Sequence, residues 1–180
     1  LIRRVCLKFH SFDIVYLGLA EQVEPMFSSH CSEDMADNLS KEKRSYAMSC
    51  VKSKNTRPEM LVRKFLHSKG FRYRLHSKQL PGKPDVVLSM YKAVVFVHGC
   101  FWHHHYSGCS RSRLPKSNVE FWEKKIKRNI DRDKQNLQHL HMLGWRTFIV
   151  WECGLSKSRR DLTLNNLVHD IRDGALNIRS

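Results

Sequence analysis

No apolar run in this sequence is long enough to cross a bilayer, so a helical membrane protein is not the expectation. Acids are scarce: 17 Asp and Glu stand against 32 Lys and Arg, which leaves a formal charge of +15. The bases are scattered along the chain rather than gathered in a tail. A polyanion is the natural partner of such a surface, because each neutralised phosphate releases counterions. Charge kept only for solubility is the competing explanation, and a local site has to decide between them. Six cysteines are few for a secreted disulfide scaffold of this size. Three of them lie near histidines or a later strand, which suits a metal better than bridges and implies a reducing cytosol. A clean export signal is missing too: Arg3, Arg4 and Lys8 precede an apolar stretch, but Asp13 interrupts it and no small-x-small cleavage pattern follows. There is no internal repeat.

What is present suffices for one core, since 180 residues at 41% hydrophobic composition can bury a single principal domain. The chain opens on a leucine and the more regular text MADNLSKEKRS begins at Met35. Residues 1–34 are therefore expected to be an over-extended start or a disordered leader, residues 35–55 a basic arm, residues 56–174 the folded domain and residues 175–180 a tail. Residues 41–51 read as a basic helix and residues 52–55 as a polar break. Thr56 opens a marked helix, with Pro58 in its first turn, Glu59 three residues after the cap, Met60, Leu61, Phe65 and Leu66 as its apolar face, and Gly70 as its stop. Strands are expected at residues 71–75, 86–90 and 93–97, the last apolar throughout as a central strand should be. Ser117 with Glu120 reads as the capping box of a long helix whose stripe is Trp122, Ile126 and Ile130, ending near Gly144. A buried strand at 145–151 and an amphipathic helix at 162–171 complete an α/β layering around a mixed sheet.

The chemistry clusters between Pro81 and Cys109, in the strings LPGKPDVVL, YKAVVFVHGC and FWHHHYSGC. Asp85 stands at the mouth of one strand and His98 ends the next. If the two strands pair, a carboxylate and an imidazole meet at one sheet edge, where Mg²⁺ can be held by one or two carboxylates and its own waters against a phosphate. The bland alternative is Asp85 as a turn residue after Pro84. Phe101 and Trp102 lie between Cys100 and His103, a loop position where two large rings are costly to leave wet.

A proline-aspartate at one strand, with Phe96, Val97 and His98 where related nucleases carry acid-x-lysine, resembles the very short patch repair (Vsr) DNA endonucleases. So do PGKPD, HGCFWHHH, EFW followed by a helix, and GWRTFIVWEC, in matching order over residues 41–153. The resemblance implies a restriction-endonuclease-like three-layer α/β fold with helices flanking a mixed sheet. It implies that Asp85 and the Val97 carbonyl hold a catalytic Mg²⁺, that His103 is the general base, that His98 assists at the phosphate and that Asp133 supports the site. Glu59 has two readings of equal weight, an accessory catalytic role by resemblance and the third residue of a capping box by position. A structural Zn²⁺ is implied at Cys100, His105, Cys109 and Cys153, although Tyr106, Ser107 and Gly108 lengthen the loop and leave His103 and His104 as competing ligands. Adventitious metal on the histidine run is the alternative. Phe101, Trp102 and Trp122 would wedge beside a T:G pair, Met48 would enter from the opposite groove, and Lys125 and Asn129 would contact the mismatched bases; for Trp122, ordinary core packing competes.

The implied activity is a nick 5′ to the thymine of a T:G mismatch left by deamination of 5-methylcytosine, in the bacterial cytoplasm at the nucleoid. The implied partners are a cytosine-5 methyltransferase and a mismatch-repair mediator, and one active site permits a monomer. Two rivals stay open: a zinc-stabilised DNA-binding module without catalysis, and a restriction-type or structure-selective nuclease acting on paired DNA.

Overall fold

The first helix, α1 (Arg57–Ser68), is built at both ends from local chemistry. Thr56 caps it by accepting from the Glu59 N–H, while Glu59 reaches back to the Asn55 N–H at 2.9 Å and accepts from the Thr56 hydroxyl at 2.9 Å. At the other end Gly70 takes a left-handed φ of 87° and donates to the His67 carbonyl, and Phe71 donates to the Leu66 carbonyl. These are the two bonds of a Schellman stop, and Phe71 and Leu66 complete it by sharing the core. In this computed structural model the described residues are 54–106, 108–176 and Tyr46. The chain divides between Met35 and Ala36 into two units, and all described residues belong to the second. The leader at 1–34, the basic helix at 41–51 apart from Tyr46, and Met48 lie outside them.

Four strands form a sheet in the order β1 (Arg74–Leu75), β2 (Val86–Leu88), β3 (Ala93–His98) and β4 (Arg146–Trp151). The first two pairings are antiparallel and β3–β4 is parallel, so the sheet is mixed as expected. The parallel pair is joined by α2 (Val119–Met142), and α3 (Arg160–Leu176) follows. Alternation along the strands sends the two faces to different helices. Val86, Leu88, Ala93 and Val95 pack with Val62 and Leu66 of α1 and with Leu164, Leu167, Val168 and Ile171 of α3. Val87, Val94 and Phe96 pack with Leu137 and Leu140 of α2. Each fully buried aliphatic side chain contributes about 1.5–3 kcal/mol, so both faces are firmly held. No helix among the described residues is long and apolar enough to cross a membrane.

Several elements differ from the sequence expectation. The residues that α1 buries are Glu59, Val62, Arg63 and Leu66, at helical spacing, whereas Met60 is exposed. An ion pair inside the stripe displaces the apolar face that hydropathy suggests. Residues 71–73 are not strand, because the Phe71 N–H is spent closing α1. Residues 89–91 form a 3₁₀ turn that ends on Lys92 in a left-handed conformation and turns β2 into β3. The start of α2 does not use a Ser117–Glu120 box: its cap residue is Asn118 at φ 52°, with no side-chain cap bond, and Glu120 pairs with Lys124 instead. β4 is an edge strand, only half-buried apart from Val150. α3 runs longer at both ends than expected, and Leu162 is exposed.

Candidate active site and cysteine cluster

The parallel strands β3 and β4 end side by side, His98 opposite Trp151, and the candidate site is assembled there. His98 follows Val94 and Phe96 on the α2 face. It stacks on His103 with ring centroids 3.8 Å apart and planes 6° from parallel, and meets Trp151 edge-on. His103 Nδ1 lies 2.5 Å from Oδ2 of Asp133, a residue of α2. A carboxylate can only accept, so the ring proton sits on Nδ1 and Nε2 is left as the basic atom. Burial pushes Asp133 up, but the hydrogen bond and charge interaction with His103, with Arg132 nearby, hold it below the usual carboxylate value. Burial and the neighbouring His103 push His98 down to about 3, so it stays neutral.

Asp85 reaches the same strand end from the other side. Its Oδ2 accepts from the Val97 N–H at 2.8 Å, one residue before His98. Its companions come from the α1 side: Glu59, His76 and Asp85 bring one ligand atom each within 4.8 Å of one another. The expected meeting of carboxylate and imidazole at one edge is thus realised as two clusters joined through Val97 and His98, not as a single one. The turn that delivers Asp85 is tight. Gly82, at φ 71°, crosses α2 so closely that a Cβ there would lie 3.1 Å from the Asn136 Cβ. Glu59 is committed twice over, to the α1 cap and to Arg63 at 2.6 Å.

The loop after β3 carries a second metal-competent set. Cys100, His105, Cys109 and Cys153 bring their ligand atoms within 4.8 Å of one another, with His105 Nδ1 3.3 Å from Cys153 Sγ and 3.9 Å from Cys100 Sγ. Bonds of about 2.3 Å to sulfur and 2.0 Å to nitrogen give a tetrahedron with edges of roughly 3.5–3.8 Å, so the donors fit zinc. Of the three histidines in the run, His105 joins the cysteines, His103 joins Asp133 and His104 stands exposed. Burial and the crowded thiols push Cys100 up to about 12. A shared cation would let the three thiols ionise together.

Phe101, Trp102 and Trp122 form a half-buried herringbone, with centroids 5.0, 5.2 and 6.1 Å apart. Asn129, on the same face of α2 as Trp122 and Asp133, donates to the Trp102 carbonyl at 2.9 Å and fastens the loop. Lys125 lies half-buried between them in sequence. Sequence reasoning missed Trp151, which stacks on His105 at 4.2 Å and touches His98, and it missed Arg63 and His76. Only the strand-end position of Trp151, two residues before Cys153, could have flagged it. An open groove of about 590 Å³ lies along α1, lined by Met60, Arg63, Lys64, His67 and Tyr73 among others. None of Asp85, His98, His103 and Asp133 lines it.

An imidazole oriented by an aspartate, beside a second imidazole and a carboxylate on a chain of charge +15, is the equipment that hydrolysis of a polyanion calls for. The family model described as DNA mismatch endonuclease Vsr matches residues 36–110. The chain is 49% identical over 140 residues to the type II nicking enzyme V.NmeAIP of Neisseria meningitidis, covering 77% of this chain and 99% of that protein. It is 52% identical over 122 residues to the type II nicking enzyme V.XorIIP of Xanthomonas oryzae pv. oryzae, covering 68% and 88%. It is 41% identical over 129 residues to the DNA mismatch endonuclease Vsr of Escherichia coli, covering 72% and 81%. The chain belongs to the Vsr family of DNA mismatch endonucleases.

Proposed function

We propose that this chain nicks one strand of DNA 5′ to the thymine of a T:G mismatch, on a restriction-endonuclease-like fold. The observation that carries the reading is the His103–Asp133 pair at 2.5 Å, stacked on His98 at the strand end that also anchors Asp85. Asp85 suits a hard divalent cation such as Mg²⁺, since one oxygen is pinned to the sheet and one donor with a backbone carbonyl, here that of Val97, is all that ion asks of a protein. When bound, the cation supplies charge for the phosphate and acidity for the attacking water. The chain's own work is to take a proton at His103 Nε2 and hold the resulting charge against Asp133. Neutral His98 packs against that ring without repelling it and is available to a phosphate oxygen. Zn²⁺ at Cys100, His105, Cys109 and Cys153 would fasten the loop that carries His103. Glu59 acts through Arg63 rather than on substrate.

Selectivity for the mismatch falls to Phe101, Trp102 and Trp122, because a mismatched step costs less to unstack than a paired one. Met48, Lys125 and Asn129 would contact the mismatched region. A cytosine-5 methyltransferase as the source of the mismatch and a mismatch-repair mediator are proposed partners of a monomer acting at the nucleoid in the cytoplasm. The test is a nicking assay on duplexes that differ only by T:G or C:G at one position, with and without Mg²⁺. A single Mg²⁺-dependent nick confined to T:G is the expected product. Cleavage of both strands of the paired duplex would make the protein a restriction-type nuclease, and a gel shift with no product would make it a binding module.

A further inference from the structure

His76 has no role in the proposed function and Arg63 enters it only as the partner of Glu59, yet both are drawn in beside Asp85. Arg63 is 4% exposed and sets Nη1 2.6 Å from Asn55 Oδ1 and Nη2 2.6 Å from Glu59 Oε2. The same Nη2 lies 2.8 Å from His76 Nε2. A guanidinium has only donors, so the histidine nitrogen at that contact must accept. The single proton of the neutral ring is thereby assigned to Nδ1, and Nδ1 is the atom that faces Asp85 Oδ1, at 3.9 Å.

The sheet explains the placement. β1 pairs with β2 antiparallel with Leu75 opposite Val86, and one step further in the same register lays His76 across from Asp85. His76 itself is at φ 47°, in the sparsely populated left-handed region just after β1 ends. Asp85 is thus gripped at Oδ2 by the Val97 N–H and faced at Oδ1 by an N–H whose direction a buried arginine sets from behind. The separation of 3.9 Å is too long for a direct hydrogen bond. The positive end of the ring dipole therefore orients Oδ1 while leaving its lone pairs to a cation. Arg63 has a second effect, since it neutralises Glu59, whose charge otherwise opposes the ionisation of Asp85.

We propose that His76, locked in its Nδ1–H tautomer by Arg63, is a positioning residue for Asp85. The inference rests on the reading of Asp85 as the cation ligand, and its test separates the two. Long-range ¹H–¹⁵N correlation of the imidazole rings, recorded without substrate or added Mg²⁺, should find His76 protonated at Nδ1 and bare at Nε2. The opposite tautomer overturns the proposal whatever Asp85 does. In nicking assays titrated with Mg²⁺, and in Mn²⁺ binding to the protein–DNA complex followed by electron paramagnetic resonance, His76→Ala should raise the half-saturating metal concentration about 10–100-fold, as loss of a ligand's supporting partner does. Affinity for the mismatched duplex should not move. His76→Gln, whose amide can accept from Arg63 and donate toward Asp85, should return the metal dependence to within about 3-fold of the parent. An unchanged metal dependence in the alanine variant, or a glutamine variant no better than alanine, overturns the proposal. Should His76→Ala fail to fold, the tautomer and the glutamine variant still decide it. A failure of the parent reading looks different: Asp85→Ala would then nick normally, with the His76 tautomer unaltered.

Discussion

His103 and Asp133 are 30 residues apart in the chain and meet at 2.5 Å, loop against helix, with Nδ1 turned to the carboxylate. The pair sets the tautomer and the direction of a basic nitrogen, which is the work a general base requires of its surroundings. Replacing Asp133 by asparagine keeps the shape and removes both the charge and the demand for an Nδ1 proton. Single-turnover nicking of a T:G duplex by Asp133→Asn should slow by about 10²–10⁴-fold, the usual worth of positioned acid–base catalysis, with binding of that duplex unaltered. A rate within threefold or so of the parent would remove the pair from the chemistry.

Asp85 should cost the fold stability at neutral pH. Burial raises it above the ordinary 3.8; the Val97 hydrogen bond opposes that, the Glu59 charge adds to it, and His76 and Arg63 oppose it. For an acid raised on folding, the native state binds the proton more tightly than the unfolded chain. Stability then falls as pH climbs from the unfolded value through the folded one, and the full cost remains above it. Asp85→Asn can still accept from Val97 and carries no charge. It should abolish nicking, yet unfold in urea at pH 7 with a gain on the order of 0.5–2 kcal/mol, a gain that shrinks toward zero near pH 3. Equal or lower stability at pH 7, measured without added Mg²⁺, would show that the carboxylate is not under strain.

Zinc should be part of the fold. Cys100 follows β3, Cys153 follows β4, and His105 with Cys109 hold the loop between, so one ion would tie both parallel strand ends to the loop bearing His103. Elemental analysis should find one zinc per chain, and Cys153→Ser or a strong chelator should lower the melting temperature by about 10 °C or more. A metal-free protein with unchanged melting and full activity would leave the cluster as four neighbouring side chains and no more.

Local signals told most of this architecture and failed where charge enters the core. The Thr56 cap, the Gly70 stop and the apolar run of β3 are written within a few residues of each element, and the structure repeats them. The cysteine and histidine set gathers as its residue types suggest. Hydropathy misread α1 because two members of its buried stripe, Glu59 and Arg63, are ions that satisfy each other. It could not single out His76 either: the residue matters through the β1–β2 register, and register is a pairing between segments that neither segment carries alone. Nor could it anticipate the left-handed Asn118 that starts α2, since the serine and glutamate spacing there imitates a capping box.

The aromatic cluster makes a prediction in which stability and selectivity part company. Phe101 and Trp102 sit on the loop, fastened by Asn129 through the Trp102 carbonyl, whereas Trp122 is rooted in α2. All three are half-buried, so each keeps ring surface to offer a base while resting on the others. Replacing Phe101 and Trp102 together by alanine removes two stacking partners worth about 1–3 kcal/mol each and leaves the His103–Asp133 pair in place. Nicking of T:G relative to C:G duplex should fall by tens-fold or more, with the metal dependence of the residual reaction intact. Trp122→Ala should lose both selectivity and melting temperature, because its ring supports Phe101 from the helix. If the double variant discriminates as the parent does, mismatch recognition must come from the basic face of α2 and not from these rings.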